Sequence, residues 1–91
     1  MSTKTLQAFV DKENQWSSMF NKNYQPLSLA SAADRQRIAS IIDSKLSPEN
    51  LSCDGELPRA EVNRRYRELT AAARDLIKLD PSMAQHMYEF G

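Results

Sequence analysis

The stretch Pro58 to Leu79, PRAEVNRRYRELTAAARDLIKL, limits this chain more than any other, because prolines fence it and its apolar residues repeat at helical spacing. Val62, Tyr66, Leu69, Ala73 and Leu76 follow one another by alternate steps of four and three, which lines them along one side of a helix. At about 100° per residue, Arg64, Arg67, Arg74 and Lys78 fall roughly 120° to 200° from Val62, with Ala71 among them. Such a helix needs a packing partner on its apolar side and leaves its cationic side for a second contact.

The rest of the chain supplies partners of the same kind. From residue 3 to 21, Leu6, Phe9, Val10, Trp16, Met19 and Phe20 cover about half of a helical wheel, with Lys4, Asp11, Asn14 and Gln15 opposite. Glu13 projects into the apolar arc, so either the seam frays there or its carboxylate meets a cation from another helix. Pro26 pushes Gln25 away from helical angles, which makes Asn21 to Leu29 a linker. Ser31 and Asp34 have the spacing of a capping pair and start a second helix over 32–46, buried through Ile38, Ala39, Ile41, Ile42 and Leu46.

Ser47 and Pro48 open a short further turn of helix, and Asp54-Gly55 marks a tight turn before the long helix. Asp80, at the far end, caps a last segment over 81–90 in which Met83, Met87 and Phe90 form one stripe beside Tyr88. With no strand pattern, the expected fold is all-α, one domain holding a small bundle of three to four helices at about 3–21, 32–46, 58–79 and 81–90. For 91 residues, burial of roughly 64% of the unfolded surface makes the core a marginal one.

Charge narrows the partners. Twelve basic and twelve acidic side chains cancel, so no global field draws the chain to nucleic acid or anionic lipid, and an electrostatic partner requires a local patch. Such a patch is available, since Asp43, Glu49, Asp54 and Glu56 outnumber Lys45 over 43–56, while arginines dominate 59–78. Complementarity between these two segments, within or between copies, competes with a dedicated partner site. Pairs such as Glu61 with Arg65 and Arg64 with Glu68 also fit an ordinary solvated helix face.

Catalysis and metal binding have little material. The chain holds one His, His86, and one Cys, Cys53, in different elements, and no glycine-rich phosphate loop. Zinc wants about four ligands of these types, and SPENLSCDGELP lacks the alternating oxygen ligands of a calcium loop. No cofactor, metal or catalytic residue is expected. A lone cysteine gives no intrachain disulfide, and no apolar run approaches a bilayer span or a signal peptide's core, so the expected setting is cytoplasmic with no membrane contact.

The stretch NLSCDGELPRAEVNRRYRELTAAARDLIKLDPS, an Asp-Gly turn leading into an arginine-rich helix that stops at Asp-Pro, resembles segments of small uncharacterised helical proteins of tailed bacteriophages. The resemblance covers about a third of the chain. It implies a phage-encoded accessory or host-directed protein.

These readings converge on a non-enzymatic protein that binds another protein as accessory, adaptor or inhibitor. The expected contact residues are Arg64, Arg67, Arg74 and Lys78 on the stripe, and Trp16, Phe20, Met83, Met87 and Phe90 at the two ends of the chain. The terminal apolar residues have an alternative use, closing over the central helices as core. Two alternatives stand beside the main reading: a nucleic-acid binder using the basic face of the 58–79 helix, and a structural piece that assembles into a homo-oligomer.

Overall fold

A computed structural model describes residues 3–52 and 58–88. Its helices are α1 (Lys4–Phe20), α2 (Ala32–Lys45), α3 (Pro48–Ser52) and α4 (Arg59–Leu79), followed by a 3-10 helix at Pro81–His86. There is no strand among the described residues, so the chain is a small all-α bundle. The Asp54-Gly55 turn, the Cys53 thiol, Glu56 and Phe90 lie outside the described residues.

Helix α4 is the central beam. It packs against α1, α2, α3 and the 3-10 helix, while α2 also touches α3 and the 3-10 helix. Leu69, Ala72, Ala73 and Leu76 of α4 meet Leu6 and Val10 of α1, Ile38, Ala39, Ile42 and Leu46 of α2, and Leu27, Met83 and Met87 in one buried cluster. Fully buried Ala39, Ala72 and Ala73 bring no bulk to the contact, which lets helix axes approach closely.

The seam of α4 is used over half its length. Leu69, Ala73 and Leu76 are buried, whereas Val62 is half-buried and Tyr66 is 52% exposed. The first turns of α4 depend instead on side-chain pairs within the helix, where Glu61 binds Arg64 and Arg65 and Arg64 reaches Glu68. Pairs of this kind add about 0.2–0.5 kcal/mol each, enough to favour helix but not to replace a core.

Local chemistry sets the boundaries. The Ser31 hydroxyl accepts from the Asp34 amide at 3.3 Å, and the Asp34 carboxylate accepts from the Ser28 amide at 3.0 Å, which fixes the entry to α2. Pro58 sits one residue before α4 in extended backbone, and its carbonyl accepts from the Glu61 and Val62 amides at 3.0 and 3.1 Å. Asp80 ends α4 and caps the 3-10 helix, accepting from the Ser82 amide at 3.2 Å. The final segment is shorter and tighter than the helix expected over 81–90. It is a 3-10 turn over 81–86, short as such turns are because their hydrogen-bond geometry is poorer.

Two long-range contacts tie α1 to its neighbours. Thr3 makes no side-chain capping bond; the Leu6 amide donates instead to Asp75 Oδ2 of α4 at 3.4 Å. The doubt over Glu13 resolves in favour of a cation from another helix, because Lys45 Nζ of α2 lies 3.4 Å from its carboxylate.

Candidate protein-binding surfaces

Helix α1 runs past its own core. Only Leu6 and Val10 are buried along it, and in its second half Trp16, Met19 and Phe20 are 61%, 70% and 72% exposed. Trp16 and Phe20 stand one turn apart with ring centroids 5.0 Å apart and planes inclined at 60°, a tilted pair that presents one aromatic surface to solvent. Half of the arc drawn on α1 is therefore core and half is surface.

The stripe of α4 divides as well. Arg64 is engaged on both sides, by Glu61 and by Glu68 Oε1 at 2.9 Å, and these carboxylates hold its guanidinium more firmly protonated than usual. The Arg64 hydrogen bond in turn lowers the carboxyl pKa of Glu61 below its ordinary value. Arg67, Arg74 and Lys78 are exposed and have no ion-pair partner among the described residues. Spaced by seven and four residues, they form a cationic row of about 16 Å along one face.

At the C-terminal end, Met83 and Met87 are 2% and 5% exposed. They are withdrawn from the contact surface expected for them: the 3-10 helix docks on α2 and α4, and both thioethers complete the core. Tyr88, next in the chain, is 85% exposed.

A third surface has no counterpart in the wheel of any single helix. Between α1 and α2, over α4 and α3, lies an open groove of about 1260 Å³. Phe9, Ile41, Leu51 and Leu69 form its apolar floor, and Lys4, Lys12, Lys45, Arg64 and Arg65 stand around it with Glu13 and Glu68. The signal for it in the sequence is Glu13, a charge in an apolar arc, which the structure places where α1 faces α2.

A smaller recess beside it includes His86, whose Nε2 is buried without a hydrogen-bond partner among the described residues. Among the described residues no three His, Cys, Asp or Glu side chains gather as metal ligands would, and no helix is long and apolar enough to cross a membrane. Comparison with protein-family models, curated proteins and solved structures finds no match to this chain.

Proposed function

We propose that this chain is a non-enzymatic helical protein that acts by binding another protein, as an accessory, adaptor or inhibitor, and that the aromatic end of α1 is its anchor. The observation that carries this reading is the exposure of Trp16, Met19 and Phe20 together on adjacent turns. Aromatic residues and methionine are enriched in protein contacts, where a rigid ring excludes much water at small entropic cost. The exposed cations Arg67, Arg74 and Lys78 supply steering toward an acidic partner surface.

Trp16 is the only tryptophan, so its fluorescence reports directly on the anchor. Affinity capture from the cells that make the protein, with wild type beside a Trp16→Ser/Phe20→Ser variant, is the test. A partner recovered by wild type and lost by the variant, whose addition shifts Trp16 emission to the blue, supports the reading. Equal recovery by both proteins rejects the anchor.

The same row of cations favours nucleic acid as a second reading. It predicts retardation of DNA or RNA at low salt that fades steeply as salt rises, and absence of retardation at low salt removes it. A blue shift that appears on raising the protein's own concentration, without a partner, identifies a homo-oligomer instead.

A further inference from the structure

The fold treats its methionines in opposite ways. Met83 and Met87 are 2% and 5% exposed inside the core, whereas Met19 is 70% exposed near the end of α1. At about 100° per residue, Trp16, Met19 and Phe20 fall within roughly 100° of one another, so the one accessible methionine among these three belongs to the aromatic surface. No charged residue occurs on α1 beyond Glu13. That end of the helix therefore has no ionic contribution of its own, and what it offers a partner is chiefly apolar area.

We infer that Met19 is a reversible oxidation site through which peroxide controls the anchor: the thioether form binds the partner and the sulfoxide form releases it. The inference rests on the reading of this end of α1 as the anchor. In the step itself the Met19 sulfur attacks one oxygen of hydrogen peroxide. The O–O bond breaks, an S–O bond forms, and the other oxygen leaves as water with both peroxide protons. Sulfur loses two electrons and the peroxide gains them, so no further reactant is needed. The product puts a polar, chiral group where a flexible apolar one stood, a change that disrupts contacts built on methionine. The same change at Met83 or Met87 requires the docked 3-10 helix to open first, which slows it by the free energy of that opening. A dose of peroxide that titrates the anchor thus spares the core, and methionine sulfoxide reductases, one for each epimer, restore the thioether.

The test treats the full chain with hydrogen peroxide and follows each methionine by peptide mass spectrometry. Met19 should oxidise about tenfold or more faster than Met83 and Met87, and the three rates should converge in denaturing urea. The treated chain should elute earlier from a phenyl matrix and recover about tenfold less partner in affinity capture, and the two reductases should reverse both effects. Met19→Leu, apolar and without sulfur, should bind and ignore peroxide, while Met19→Gln should behave as oxidised without it. Met1 and Cys53 lie outside the described residues, and Met19→Leu retains both, so a peroxide effect that survives in Met19→Leu overturns the assignment. Equal oxidation of Met19, Met83 and Met87 in the folded chain, or unchanged retention on the phenyl matrix, overturns it too. A partner that stays bound with Met19 fully oxidised removes the oxidative control alone, whereas the absence of any partner for untreated wild type removes the anchor itself.

Discussion

Arg35 Nε donates to Asp80 Oδ2 at 2.9 Å, tying the second turn of α2 to the residue that ends α4. The same guanidinium donates through Nη1 to the Leu29 carbonyl at 2.7 Å. One planar side chain therefore joins the linker, α2 and α4, a task a lysine's point charge cannot reproduce. Asp80 is equally occupied, since the Ser82 hydroxyl and amide donate to its other oxygen at 2.6 and 3.2 Å.

A pH dependence arises from that junction. The Ser82 hydroxyl, then the Arg35 guanidinium, holds the Asp80 carboxyl below its ordinary value of 3.8. The folded chain thus binds this proton less readily than the unfolded chain. The stabilisation is fully present above the ordinary value and is lost as pH falls through the depressed one. Urea midpoints measured from pH 6 down to pH 2 should fall, with the steepest part below about pH 4. Asp80→Asn should start lower at pH 6 and lose part of that slope; an unchanged slope would remove Asp80 as its source.

Asn14 makes a second clamp. Its Oδ1 accepts from the Leu27 amide at 2.8 Å while its Nδ2 donates to the Leu27 carbonyl at 3.1 Å, so the side chain pairs with the linker backbone in both directions. The Tyr24 hydroxyl donates to the same Oδ1 at 2.8 Å. Asn14→Ala leaves three partners unsatisfied in a partly buried site and should cost about 1–3 kcal/mol in urea unfolding. Tyr24→Phe removes one bond and should cost about 0.5–1.5 kcal/mol.

What the sequence disclosed was the local chemistry. Ser31, Pro58 and Asp80 announce helix ends because a cap acts on amides a few residues away, and the apolar spacing announces α1, α2 and α4. What it concealed depends on how helices are placed against one another. Asn14 reads as an ordinary polar-face residue until the linker folds back onto it. Val10 and Phe20 share one arc, yet only the first has a helix above it. The groove exists because α1 and α2 rest on α4 with a gap between them, and no single wheel contains that gap. For Met83 and Met87 the periodicity gave a stripe but no address; docking of the 3-10 turn supplied one.

Two positions on the α4 seam separate spacing from packing. Leu76 is fully buried and Tyr66 is 52% exposed, although both lie on the same heptad-like line. Leu76→Ala should cost about 2–5 kcal/mol, a large part of the stability of a chain this small. Tyr66→Ala should stay within about 0.5 kcal/mol by the same urea titration. Comparable losses at both sites would mean that the seam is covered along its full length.

The terminal residues give the sharpest contrast, since residue type and spacing group Met83 with Phe20 as one kind of surface and the structure separates them. Met83 is 2% exposed within the core cluster; Phe20 is 72% exposed beside Trp16. Serine at Met83 removes buried contacts and puts a hydroxyl among apolar groups, which should lower the thermal midpoint by about 10 °C or more. Serine at Phe20 exchanges solvent-facing carbon for a hydroxyl and should move the midpoint by less than about 3 °C. Calorimetry of the two variants beside wild type decides it. If Phe20→Ser proved as damaging as Met83→Ser in dilute, monomeric protein, the aromatic end of α1 would be part of the fold's own interior and would have no surface left to offer a partner.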